Sequence, residues 1–301
     1  MAQPFSQLVA DPAWRAEAHR WISACVAGSG RRLTGPIEQP RIRPWSTHLL
    51  APTDAGRMWF KASCASMAFE AAVHDALSRL APDEVDSPVA AEADRGWILT
   101  ADRGTTLGDS HEPTLEDWQA VVRNAARLQR RLVGHRDELV ATGLPDDHPG
   151  RLSEEVVDQL AARRPFVVEA AETLDASGIP STLQHGDLHP WNVFAVDDGG
   201  LRIFDFGDAQ WAHPLEVLSV PFGWVTSRSS LSWPAIERVH AQEWQLDPDD
   251  YCVLVRAAGL TQPVNRALTW WSALQSASAA EWQEWGEAPA RHLSNVLGTW
   301  P

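Results

Sequence analysis

The chain has 301 residues, 44% apolar and 22% charged, ordinary values for a globular protein of one large or two modest domains. Its net charge of −15 repels a phosphate backbone, so nucleic acid is not an expected partner. No basic segment leads into an apolar run at the start, and no stretch nears the ~20 apolar residues of a membrane helix, so a cytoplasmic protein without a membrane partner is expected.

In chain order, Asp11 as N-cap and Pro12 in the first turn predict a helix through Val26, with Trp14, Ala18, Trp21, Ile22 and Cys25 on one apolar face. Residues 37–43, 47–51 and 57–61 read as short strands of a small antiparallel sheet, the last two joined by the turn Thr53-Asp54-Ala55-Gly56. The third strand ends in W-F-K, and Lys61 is the one lysine in a chain whose other basic residues are all arginine. Phe69, Val73, Leu77 and Leu80 then follow at helical spacing over 66–80, and 96–100 is one more strand. Beyond residue 105 the texture changes to long amphipathic stretches at 114–134 and 152–175, a strand-rich island at 181–206, and helices to the end. Cys25, Cys64 and Cys252 have no C-x-x-C spacing and read as small buried hydrophobes.

The island carries the chemistry. His185-Gly186-Asp187-Leu188-His189-Pro190-Trp191-Asn192 fits H-x-D-L-x-x-x-N, and thirteen residues beyond Asn192 comes Asp205-Phe206-Gly207. The segments NVFAV and LRIFD flank Asp197-Asp198-Gly199-Gly200, a hairpin signal that brings Asn192 and Asp205 to one end of a ribbon. Phosphoryl transfer from ATP needs a magnesium ion, an in-line hydroxyl and a carboxylate near that hydroxyl's proton. Asn192 and Asp205 offer hard oxygen ligands, and Asp187 offers the base or hydroxyl-orienting group. Lys61, a compact ammonium at a strand end, can reach phosphates as a point charge where a planar guanidinium substitutes poorly.

On these residues the chain resembles the aminoglycoside phosphotransferase and choline kinase-like family of small-molecule kinases, from roughly Ile37 to Leu218. The resemblance implies an α+β, bilobal protein-kinase-like fold. Its small N-terminal lobe (1–101), with an antiparallel sheet, would bind nucleotide, and its larger, mostly helical C-terminal lobe (102–301) would hold the catalytic and substrate-binding residues. It further implies Asp187 as the catalytic aspartate, Asn192 and Asp205 as magnesium ligands, Lys61 as the phosphate-binding lysine and Glu70 as its partner. The segment 99–104 resembles the hinge, where the backbone of Ala101 and Arg103 would bond adenine. The activity so implied is MgATP-dependent phosphorylation of a small-molecule hydroxyl on an aminoglycoside, aminosugar, sugar or amino alcohol.

Two departures refine it. Pro44-Trp45-Ser46 stands where a glycine-rich loop is expected, and no A-P-E follows the D-F-G, which leaves no room for a peptide substrate. The alternative is a catalytically idle nucleotide-binding protein of the same fold, against which the intact set of Lys61, Asp187, Asn192 and Asp205 argues. His185 reads as a loop anchor and His189 as structural, while Asp208 is either a third carboxylate near the metals or a helix-leading residue. The tryptophans of the C-terminal third read mostly as core, with one or two open as substrate platforms. Acidic residues there (Asp247, Asp249, Asp250, Glu281, Glu284, Glu287) suit either a cationic acceptor or a solvated helix face.

Overall fold

The computed structural model describes residues 3–146, 164–196 and 199–295; the stretch 152–163, the Asp197-Asp198 pair of the expected turn and Trp300 lie outside them. Two helices open the chain, α1 (Phe5–Ala10) and α2 (Pro12–Gly28). Asp11 caps the second: its carboxylate accepts from the Ala13 N–H at 2.7 Å, and Pro12 sits at the first helical position, where no donor is needed. The expected sheet follows as β1 (Glu38–Ile42), β2 (Ser46–Thr53) and β3 (Gly56–Ser63), then α3 (Glu70–Leu80), β4 (Ala90–Glu92) and β5 (Trp97–Ala101). All pairs are antiparallel, in the order β1-β2-β3-β5-β4. Strand β4, three residues of Ala-Ala-Glu without alternation, left no sequence signal.

Alternation along β2 and β3 sends Leu49, Ala51, Met58 and Phe60 to one face, where they bury against Ala18, Ile22 and Val26 of α2. Trp14 and Trp21 close this front core by edge contacts with Phe60 and Trp97. The opposite alternation leaves His48, Trp59 and Lys61 for the other face of the sheet.

The larger core belongs to the helical part: α4 (Leu107–Ser110), α5 (Leu115–Leu132), α6 (Arg136–Val140) and α7 (Arg164–Ala176). Helix α5 starts in a capping box between Thr114 and Asp117 and buries Trp118, Val121, Val122, Ala125, Leu128 and Leu132. The island forms β6 (Thr182–Gln184), the ribbon β7 (Val193–Ala195) with β8 (Leu201–Ile203), and β9 (Gln210–Ala212), which returns to pair with β6. His213 caps a 3-10 turn over Pro214–Leu218. The helices α8 (Ser219–Arg228), α9 (Trp233–Trp244), α10 (Pro248–Leu274), α11 (Ala279–Trp285) and α12 (Ala288–Asn295) complete the described chain.

The fold is α+β and bilobal. Val73 and Leu77 of α3 pack into the larger core beside Phe206, so this helix bridges the sheet and the helical part. Cys64 is buried as expected, but Cys252 is exposed, because the start of α10 turns it and Val253 to solvent. Among the described residues no helix is long and apolar enough to cross a membrane.

Candidate active site

Lys61 lies in β3 between His48 of β2 and Ile98 of β5. Its side chain is 15% exposed, and its Nζ donates to Glu70 Oε1 at 2.7 Å and to Asp205 Oδ1 at 2.6 Å. Glu70 is the first residue of α3, and its second oxygen accepts from Ser63 Oγ at 3.0 Å. Burial alone would favour a neutral amine, but Asp205 and Glu70 overcome it and hold the ammonium well above the ordinary lysine range. In Asp205 burial works upward and the Lys61 charge wins, so its carboxyl lies far below the usual carboxylate range. In Glu70 burial, helped by the charge of Asp205, outweighs Lys61 and pushes the carboxyl up.

The loop after β6 is folded against the D-F-G segment. Gly186 has φ of 82°, and a Cβ there would stand 2.0 Å from the Asp208 carbonyl oxygen, so the close approach requires glycine. His185 Nε2 donates to the Phe204 carbonyl at 2.9 Å while its Nδ1 accepts from the Asp187 N–H at 3.3 Å. That pattern makes it a neutral anchor, in keeping with the downward shift that burial imposes. The Phe204 N–H donates to the Asn192 carbonyl at 3.1 Å, continuing the β7–β8 ribbon and setting Asn192 beside Asp205. Asp205 itself has φ of 67°, a left-handed conformation rare outside glycine and typical of residues over-determined by a site.

Asn192 donates its Nδ2 to the Asp187 carbonyl at 2.9 Å, which leaves the amide oxygen for another partner. The Asp187 carboxylate lies 3.4 Å from Arg266 Nη2 and 3.5 Å from His189 Nε2. Arg266 Nη1 reaches Asp208 Oδ1 at 2.8 Å. Asp208 is therefore held by an arginine of α10 rather than beginning a helix. Among the described residues no group of three or more His, Cys, Asp or Glu side chains could hold a metal ion. The amide oxygen of Asn192 and the carboxylate of Asp205 are hard donors that fit magnesium, which commonly takes one or two protein ligands together with phosphates and water.

Two cavities meet at this cluster. One, of about 510 Å³, runs from Trp59, Ile98 and Ala101 to Phe194 and Asp205. The last pair of β4 is Ala90↔Leu99, so Thr100 and Ala101 extend past it along the cavity wall. Arg103 lines the same cavity and is fixed by two 2.7 Å bonds to Asp86. The second, of about 140 Å³, is bounded by Asp187, Asp208, Arg266, Trp45 and Trp270. Arg41, His48, Lys61 and Asp205 line both.

Sequence reasoning missed Arg266; its signal is a charge amid apolar residues of α10, between Asn265 and Ala267. The acidic residues of the C-terminal third divide toward the bland reading. Asp247 caps α10 through the Asp249 N–H at 2.9 Å, Glu281 completes a capping box with Ser278, and none of the six lines the cavities described. Of the tryptophans, Trp270 does face the small cavity, packed edge-on against Trp45 at 5.2 Å.

A lysine-bearing antiparallel sheet, a glutamate-bearing helix that bridges to a helical lobe, and an aspartate loop beside a D-F-G define a kinase-like protein. The model of the phosphotransferase enzyme family matches residues 60–220, more than half of the chain, and the protein belongs to that family. No curated protein matches the chain by sequence. Solved structures share its fold. Macrolide 2'-phosphotransferase MphH from Brachybacterium faecium superimposes with TM-score 0.59 at 17% identity, over 95% of this chain and 99% of that one. The GDP and kanamycin complex of APH(2")-IIia gives 0.59 at 15%, over 92% and 99%. Choline kinase LicA from Streptococcus pneumoniae gives 0.56 at 12%, again over 92% and 99%.

Proposed function

We propose that the protein transfers the γ-phosphoryl group of MgATP to a hydroxyl of a small molecule. The observation that carries this reading is that Lys61 and Asp205 line both cavities: a phosphate held by them in the larger one faces Asp187 in the smaller. In this reading the larger cavity takes the nucleotide, with adenine toward the backbone of Ala101 and Arg103, and the lobes divide at 101/102. Lys61, oriented by Glu70, binds the phosphates, while Asn192 and Asp205 would hold magnesium. When bound, that ion neutralises the charge that builds on the phosphoryl oxygens. Asp187 accepts or orients the proton of the acceptor hydroxyl, which enters from the side of Trp45 and Trp270. The nucleotide-bound relative and the choline kinase fold support a nucleotide and a small acceptor without naming which acceptor.

The test is ADP release from MgATP against aminoglycosides, aminosugars, neutral sugars and amino alcohols, with Asp187→Ala alongside. The expected result is transfer to one class that drops by about 10²–10⁴-fold in the variant, with nucleotide binding retained. Equal turnover in both proteins would refute the role of Asp187.

A further inference from the structure

Arg266 is 9% exposed, and its guanidinium serves two carboxylates at once, Asp187 at 3.4 Å and Asp208 at 2.8 Å. Such a buried group is held in place by its surroundings. The preceding residue, Asn265, donates to Glu216 Oε2 at 2.9 Å, and Thr261, one turn earlier, donates to Glu216 Oε1 at 2.6 Å. Glu216, 1% exposed, also accepts from Gln210 of β9 at 3.3 Å, so one buried carboxylate locks α10 to the strand that follows the D-F-G. The Arg266 guanidinium also lies 5.9 Å from the Trp270 ring and lines both the small cavity at Asp187 and a cavity of about 440 Å³ between α8, α10 and α12.

We propose that Arg266 is a positioning residue for phosphoryl transfer: by bridging Asp187 to Asp208 it holds the Asp187 carboxylate aimed at the acceptor hydroxyl. This rests on the role proposed for Asp187. Three carboxylates, Asp187, Asp205 and Asp208, converge where a polyanionic phosphate would arrive, so each needs a cation to hold its place. Lys61 answers Asp205 from the sheet side; Arg266 answers Asp187 and Asp208 from the helical side.

The experiment compares steady-state kcat and KM in wild type, Arg266→Gln, Arg266→Lys and Asp208→Asn, with MgATP affinity by calorimetry and folding by thermal melting. Arg266→Gln should lower kcat by about 10²-fold, the scale of a misplaced catalytic group, with MgATP affinity unchanged. Arg266→Lys, which keeps the charge without the fork, should partly restore kcat, and Asp208→Asn, which removes the second anchor of the guanidinium, should lower kcat in the same direction. Wild-type kcat in folded Arg266→Gln, or a change confined to KM, would overturn the inference; if Arg266→Gln does not fold, wild-type kcat in Asp208→Asn overturns it. Equal turnover of wild type and Asp187→Ala would instead defeat the parent reading.

Discussion

Lys61 sits where only a narrow, single-point cation fits. Its Nζ is held between Glu70 and Asp205, and a Cβ on Gly207 would come within 3.5 Å of it, so a planar guanidinium would have to displace both carboxylates. Lys61→Arg should therefore behave more like Lys61→Ala than like wild type, raising the KM for ATP and lowering kcat, as steady-state kinetics would show; wild-type constants in Lys61→Arg would contradict the point-charge role. Lys61 and Asp205 were legible because one is the single lysine at a strand end and the other stands in the D-F-G, and Glu70 as partner of Lys61 came with the family resemblance; the direct Lys61–Asp205 contact appears only in the structure. Arg266 was not legible, since it lies 79 residues beyond Asp187 and only the packing of α10 brings the two together.

At the scale of elements, the site depends on two segments that touch by backbone. Gly186→Ala places a Cβ on the Asp208 carbonyl and forces a left-handed residue to carry a side chain. The expected outcome is a lower melting temperature together with loss of transfer, whereas Gly30→Ala, where φ is also positive at 75° but nothing lies within 4 Å, should retain transfer. Comparing the two by thermal melting and ADP release separates backbone strain from the contact. The ribbon of β7 and β8 was readable from two apolar runs flanking a turn signal, and α5 from the amphipathic stretch at 114–134. Strands β4 and β9 were not, because three residues carry too little pattern to be read apart from the strands they pair with, β5 and β6.

For the whole molecule, two outcomes follow from mass action and linkage. A ligand that binds only the folded state stabilises it, so MgATP at about 100 times its Kd should add about 2.7 kcal/mol, read as a rise in melting temperature, and no rise would count against the proposal that the larger cavity takes a nucleotide. Acidification should act the other way. Burial lowers His48 and His240 from 6.5 to about 3 and His292 to about 4, so the unfolded chain binds more protons than the folded one below pH 6.5. Stability contributed by these neutral histidines is present above pH 6.5 and is lost as pH falls toward their folded values. His240 is fully buried and bonded to Gln129 at 3.2 Å. His240→Asn should flatten the fall of melting temperature with pH below 6.5, by up to about 1.4 kcal/mol per pH unit, and an equal slope would remove His240 from the account.

The sequence by itself determined the class of fold and the inner cluster, because the residues of that cluster sit on local structures, a strand end, a helix start, a tight loop and a hairpin, whose signals are short-ranged. Only the tertiary structure decided what surrounds them: that α2 covers the sheet, that the acidic residues Asp247 and Glu281 are spent on helix caps, and that α10 lays an arginine on Asp187. Those outcomes depend on which apolar faces meet and how a buried charge finds its partners, and both are set by packing between segments far apart in the chain.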